Sequence, residues 1–530
     1  MFNKLNADFF KNILKNIISF FKIYYCQIIL GLLAISIELV FWKIGIEIND
    51  WYSASDFIRT FPLFFFLLGL CCFHKKTGII LSSIISCLYL IYLCAQIWCG
   101  IYQKMNLCRL QYCLILDTNF FEITDFFKAY PLTIICVLVL ILFICIIAFL
   151  HYLAFKKKVS NWHIIQIIGI LLIMPWTLWS AHGYLKHNSI NVQLSYPFAL
   201  AELQAVLYGE TIMNSFVSRI QKEQIMPENI NVKSKTVNGI VLLGESATRK
   251  HMNIYGYNRE TTPFMSKRST EWIAYDKVLS PASITYISCA YMFSNDLLNK
   301  NADNFLLIPS FFHDLGDSSV TYITSQYCKG GFDSVLIKIF DKSNQFIINN
   351  KNDDIILFDK FKECLYGDDK SSKRIFIMHF LGSHFPFQGK CPKELSIFSK
   401  EDPSKINYYD DSILYTDYCI EQYIKEIENL PSPTWCIYVS DHGETPESYN
   451  RNIKMEECWE IPLLFYFNKA YKDEFPELVA KVNEAKHISF QTDVFFEIIC
   501  DLMGVTWEKF PYENIPYHPS FKSHEFIFPK

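Results

Sequence analysis

The spacing of apolar residues changes character part-way along this 530-residue chain. In the first third, five apolar runs occupy residues 23–42, 57–73, 77–101, 131–155 and 162–182. Each is about the 20 residues a helix needs to cross a bilayer, the second being the shortest. From residue 236 onward the runs are short and alternate with helical spacing. Apolar stretches at 240–243, 320–324, 375–379, 435–439 and 462–467 read as strands, and the segments between them read as helices. Strand–helix alternation of this kind predicts an α/β domain with a mostly parallel sheet. The expected organisation is a five-helix transmembrane domain over 1–183, a bridge over 184–235 and a catalytic domain over 236–530. In the bridge, "YPFALAELQAVLYGE" (196–210) has helical apolar spacing. It suits a helix lying on a membrane surface or an ordinary linker helix.

Charge sets the expected orientation. Lys4, Lys11, Lys15 and Lys22 precede the first run, His74, Lys75 and Lys76 separate the second from the third, and Lys156, Lys157 and Lys158 separate the fourth from the fifth. Positive loops face the cytoplasm, so five crossings from an inside N-terminus put everything after His182 outside it. No small-residue cleavage site follows the first run, so no removable signal is expected. The net charge of −4 has no basic stripe behind it, which leaves nucleic-acid binding without support. Ten of the 18 cysteines precede residue 150, where they serve as small apolar residues. Eight follow, at positions 289, 328, 364, 391, 419, 436, 458 and 500. Outside the cytoplasm an even count permits disulfides, whose pairing is not legible, and no CxxC offers a cysteine zinc site.

The chemistry-bearing residues stand where strands end. "IVLLGES" (240–246) runs four aliphatic residues into Glu245, and "TWCIYVSDHGE" (434–444) delivers Asp441, His442 and Glu444. Ligands of parallel sheets gather at the carboxyl ends of the strands. Glu, Asp and His are the donors a catalytic zinc uses while keeping one position open. A nucleophile for that position is sought in "SPASITYISCAYMFS" (280–294). Spacing alone does not choose between Ser283, Thr285 and Ser288, any of which could instead cap a helix.

Five segments, "GESATRKHMNIYGYNRETTP", "SITYISCAYMFS", "MHFLGSHFPF", "YYDDSILYTD" and "VSDHGE", follow in an order that resembles the phosphoethanolamine transferases. These are inner-membrane enzymes of Gram-negative bacteria with an exported domain of the alkaline phosphatase/sulfatase fold. The resemblance covers nearly the whole chain. It implies zinc bound by Glu245, Thr285, Asp441 and His442, with Thr285 as the nucleophile that becomes covalently loaded. It implies that His384 lies near the donor phosphate, that Glu444 is an acidic residue beside the site, and that Lys329 or a neighbour binds the donor. In "LDTNFFEITDFF" (116–127), Asn119 and Glu122 match residues that face the lipid substrate. The implied partners are phosphatidylethanolamine as donor and a lipopolysaccharide component as acceptor, for an enzyme expected to be a monomer. The alternative is a phosphoglycerol transferase of the lipoteichoic acid synthase type. A true sulfatase needs a C/S-x-P-x-R motif, and nothing like it stands near Thr285.

Three departures from the family pattern stand out. Residues 445–460, "TPESYNRNIKMEECWE", lack the histidine many relatives carry there, so a second metal site has no support. The cysteine positions do not reproduce the disulfide pattern of the polymyxin-resistance members. Asp411 stands where Asn is usual.

Overall fold

The computed structural model describes residues 225–233, 235–295, 305–326, 334–348, 353–446 and 456–523, with five isolated helical positions before residue 142. The chain divides into two compact units, one of Met1–Leu116 with Phe120–Glu210 and one of Asp117–Asn119 with Thr211–Lys530. Among the described residues no helix is long and apolar enough to cross a membrane. Apart from residue 141 in the fourth, the five expected spans lie outside those residues, as do most of the bridge and Asn119, Glu122 and Lys329.

The second unit is built on a seven-stranded sheet. In chain order its strands are β1 (Val237–Gly244), β2 (Trp272–Tyr275), β3 (Ser318–Thr324), β4 (Asn344–Ile347), β5 (Lys373–His379), β6 (Thr434–Ser440) and β7 (Leu463–Phe467). Across the sheet the order is β2-β7-β6-β1-β5-β3-β4. All neighbours pair in parallel except those of β7, which runs antiparallel to both β6 and β2. The expected mostly parallel sheet is therefore present, and β7 makes it mixed.

Central position explains composition. Every residue of β1 and of β6 is buried, as "VNGIVLLG" and "TWCIYVS" require of strands covered on both faces. Alternate side chains feed two cores. Val241, Leu243, Ile375, Ile377, Ile437 and Val439 join one core with helix α1 (Thr285–Met292) and the later helix Phe495–Leu502. On the opposite face Phe376 meets Phe361 of α2 (Ile356–Leu365) edge-on, and Phe361 packs on Tyr423 of α3 (Lys405–Ile427).

The parallel register aligns the strand ends. Leu243 is level with His379, Gly244 with Ser440 and Thr324 with His379. Four neighbouring strands, β6, β1, β5 and β3, thus finish side by side. The seven described cysteines, at 289, 364, 391, 419, 436, 458 and 500, form no disulfide with one another, and Cys328 lies outside the described residues.

Candidate active site

Glu245 leaves β1 in a tight turn. Ser246 takes φ 57°, a left-handed conformation uncommon for a residue with a side chain. Its N–H donates to Asp441 Oδ1 at 3.1 Å and its hydroxyl to Glu245 Oε1 at 2.7 Å. The loop after β5 closes over the same turn, with Ser383 N–H donating to the Glu245 carbonyl at 3.0 Å. Gly382 has φ 49°, and a Cβ there would lie 3.1 Å from both the N and the O of Glu245. A glycine is what allows the two loops to approach this closely.

β6 ends in Ser440, so Asp441 and His442 emerge beside that turn. Asp441 Oδ1 also accepts the His442 N–H at 2.7 Å. Nδ1 of His442 is 2.8 Å from the Gly443 carbonyl, which turns Nε2 toward the carboxylates. That nitrogen is 3.5 Å from Glu245 Oε1 and 3.4 Å from Asp441 Oδ2. Gly443 itself is hemmed in, since a Cβ would lie 1.9 Å from the Glu457 carbonyl.

Helix α1 contributes the hydroxyl. Its N-cap is Ile284, with no side-chain cap, so Thr285 is the first helical residue and its side chain is not spent on capping. Thr285 Oγ1 donates to Glu245 Oε2 at 3.1 Å and lies 3.3 Å from His442 Nε2. Ser288 donates instead to the Asp441 carbonyl at 2.5 Å. Of these two hydroxyls, Thr285 is the one that meets the acidic and imidazole side chains.

These separations fit a metal ion. Two ligands each about 2.1 Å from a tetrahedral zinc lie about 3.4 Å apart. The four measured distances among Glu245, Thr285, Asp441 and His442 run from 3.1 to 3.5 Å. A second observation supports the fit. Among the described residues, Asp441 Oδ2 and His379 Nε2 are both buried without a hydrogen-bond partner. Leaving such groups unmatched costs about 1–3 kcal/mol each, and a metal ion held by Asp441 and His379 would remove that cost.

His379 was not singled out in the sequence, yet it joins the cluster. Ligating atoms of Glu245, His379 and Asp441 all lie within 4.8 Å of one another. His379 Nδ1 is 2.9 Å from the Tyr322 hydroxyl, and Nε2 is 4.0 Å from Glu245 Oε2. Burial, and then the neighbouring His442, pushes the imidazole down to about 3, so the ring is neutral and keeps a lone pair. Burial likewise raises the Asp441 carboxyl above the ordinary range. Gln326, also unforeseen, follows β3 and donates from Nε2 to Glu245 Oε2 at 3.2 Å and to the Phe380 carbonyl at 2.7 Å. The signal for both was positional: each sits at the carboxyl end of a strand next to β1 or one removed from it.

The remaining expected residues are placed as follows. His384 is half-buried, with Nδ1 2.6 Å from the Phe385 carbonyl, and it is not among the three residues whose donor atoms cluster. Glu444 is fully buried and accepts the Thr445 N–H at 2.8 Å. Asp411 uses its carboxylate on the N–H groups of Ile397, Phe398 and Ser399 and on the hydroxyls of Ser396 and Ser399. Burial opposes its ionisation, but these donors prevail and hold it below the usual carboxylate range. That explains an acid here: a carboxylate is acceptor-only, whereas an amide would turn a donor toward this ring of donors.

A sulfatase family profile matches residues 237–505. The chain is 23% identical over 348 residues to phosphoethanolamine transferase EptC of Escherichia coli strain K12, spanning 58% of this chain and 59% of that protein. It is 27% identical over 263 residues to phosphoethanolamine transferase EptA of Helicobacter pylori, spanning 44% of this chain and 48% of that one. The match therefore spans less than two thirds of either relative. Among solved structures, the chain aligns with integral membrane protein lipooligosaccharide phosphoethanolamine transferase A from Neisseria meningitidis at TM-score 0.67 and 19% identity, over 93% of this chain and 98% of that one. It also aligns with the C-terminal periplasmic domain of Escherichia coli EptC, in complex with Zn, at TM-score 0.51 and 18% identity, over 57% of this chain and 92% of that one. These structural likenesses concern the fold.

Proposed function

The chain belongs to the sulfatase family, and from that premise we propose that it transfers phosphoethanolamine from phosphatidylethanolamine to lipid A or a core sugar of lipopolysaccharide. The observation that carries the reading is the Thr285 hydroxyl, uncommitted to its helix and 3.1 Å from Glu245 Oε2 and 3.3 Å from His442 Nε2. A hydroxyl so placed suits phosphoryl transfer through a covalent enzyme. Sulfate-ester hydrolysis is disfavoured by the lack of a C/S-x-P-x-R motif near it. Named relatives support the headgroup: the matched curated proteins are phosphoethanolamine transferases, and one more, 24% identical over 255 residues, is the Kdo(2)-lipid A phosphoethanolamine 7''-transferase of Escherichia coli.

The residues that would hold a zinc ion are Glu245, Asp441, His442 and Thr285, with His379 beside them. Zinc, when bound, supplies a Lewis acid that favours an ionised hydroxyl and offsets charge on phosphoryl oxygens. The chain's own groups do the rest. Thr285 Oγ1 attacks phosphorus, its proton passing toward the Glu245 carboxylate to which it already donates. The bond from phosphorus to the diacylglycerol oxygen breaks, and His384 is our candidate to protonate that oxygen. An acceptor oxygen then attacks the phosphothreonine, passing the proton it carries to His384, the bond from phosphorus to Thr285 breaks, and the Thr285 oxygen takes back its proton from Glu245. Asn119, Glu122 and Lys329 are proposed donor contacts, with Glu444 supporting the site from within. This scheme requires an inner-membrane protein with its N-terminus in the cytoplasm and its catalytic domain in the periplasm, and we take it as a monomer.

The test is release of diacylglycerol from phosphatidylethanolamine by the purified protein. Thr285→Ala should abolish release. Full release by Thr285→Ala would overturn the reading.

A further inference from the structure

The segment "HMNIYGYNRETTP" (251–263) has no part in the chemistry above, and its contacts converge on one spot of α3. Tyr409 is wholly buried there. Its hydroxyl donates to the Ser246 carbonyl at 2.8 Å and accepts the Thr248 N–H at 2.9 Å. It thus bridges the two ends of the left-handed turn that carries Glu245. Both Ser246 and Thr248 are fully buried, so no water stands ready to replace the hydroxyl. The next residue, Asp410, anchors the segment itself. Its carboxylate is 2.7 Å from His251 Nδ1, 3.0 Å from the Tyr257 hydroxyl and 2.7 Å from an Arg259 guanidinium nitrogen. The rings of His251 and Phe387 meet Tyr409 edge-on at 5.1 and 5.0 Å.

We propose that Tyr409 is a positioning residue: its hydroxyl holds the Ser246 turn, and through that turn the Glu245 carboxylate, in the geometry that binds zinc. Asp410 ties the 251–259 segment to the same helix and keeps the clamp closed. Strain at Ser246 explains why a clamp is needed. A side chain at φ 57° persists only where the surroundings fix it. From the other side the turn is held by Asp441 Oδ1 on Ser246 N–H and Ser440 Oγ on Ala247 N–H, leaving the Ser246 carbonyl and Thr248 N–H to Tyr409. The metal half of this inference rests on the function proposed above; the clamp half does not.

The test compares Tyr409→Phe with Tyr423→Phe in the full-length protein. Both remove one oxygen from a buried ring on α3, but the Tyr423 hydroxyl has no hydrogen-bond partner among the described residues. Two readouts are taken: hydrogen exchange of the 245–250 backbone in metal-free protein, and zinc affinity by competition with a chelator. Tyr409→Phe should speed exchange of the Thr248 amide and weaken zinc binding by about 10–100-fold, the usual effect of losing a group that orients a ligand. Tyr423→Phe should change neither. Wild-type exchange and wild-type affinity in Tyr409→Phe, or equal losses in both variants, overturn the proposal. Wild-type protein that binds no zinc overturns the metal reading instead, and the exchange arm then decides the clamp alone: unchanged Thr248 exchange in Tyr409→Phe sinks it.

Discussion

The two ends of the central strands are both polar and both buried, yet they are finished differently. At the amino end, Asn238 at the start of β1 donates to Ser432 Oγ at 2.7 Å and accepts from Arg374 at 3.1 Å. Asn468 accepts the N–H groups of Thr434 and Tyr471 at 3.0 and 2.9 Å and donates to the Leu430 and Ser432 carbonyls at 3.1 and 3.0 Å. Lys373 donates to the Lys235 carbonyl at 2.7 Å. These three side chains are satisfied by the protein itself, and the orphan beside them is the neutral indole N–H of Trp435, which has no partner among the described residues. At the carboxyl end, Asp441 Oδ2 and His379 Nε2 are buried without a hydrogen-bond partner among the described residues. The same strands thus show what a polar end looks like when it serves the fold and when it serves something the fold is built to receive.

The sharpest way to break this comparison is to strip each end in turn. Glu245→Ala with Asp441→Ala should abolish zinc binding, read by metal analysis of the purified protein, while leaving the fold intact. Retained zinc in that variant would remove the distinction between the two ends. At the other end, Asn468→Ala strands the Thr434 and Tyr471 N–H groups and should cost about 1–3 kcal/mol of stability by denaturant unfolding. Its zinc content should match wild type.

A third effect separates polar groups that serve the fold by how burial treats them. Asp417 on α3 accepts the N–H groups of Phe264 and Met265 at 2.7 and 3.1 Å. Burial nevertheless pushes its carboxyl up to about 7. Its unfolded value is near 3.8, so below that pH both states hold the proton. As pH rises toward 7 the unfolded chain ionises first, and stability conferred by the protonated form is lost. Unfolding measured from pH 4 to 7 should therefore show a fall in wild type that Asp417→Asn lacks. Parallel profiles would contradict the buried, protonated acid.

Legibility in the sequence followed the same division. The five apolar runs read as strands all fall within β1, β3, β5, β6 and β7 apart from one residue of overhang, because burial on both faces leaves unbroken aliphatic stretches. The edge strands β2 and β4 were not read: each has four residues, and those of β4 are only partly buried or exposed. Glu245, Asp441 and His442 were legible because a polar residue directly after a buried run is conspicuous. His379 closes such a run as well, but its partnership with Glu245 depends on the register of β5 against β1, which composition does not carry. The hydroxyl of Tyr409 reaches a carbonyl 163 residues away along the chain, and no periodicity announces a contact of that kind. The preference for Thr285 over Ser288 needed the direction of two side chains at the start of one helix.

The central claim is that Thr285 carries the transferred group. Intact-mass measurement of the purified protein, incubated with phosphatidylethanolamine and no acceptor, tests it most directly. The account predicts an added phosphoethanolamine group that peptide mapping assigns to Thr285 and that disappears in Thr285→Ala. An adduct on Ser288, or no adduct while transfer to an added acceptor still proceeds, would contradict it, and an adduct with the mass of phosphoglycerol would contradict the proposed donor.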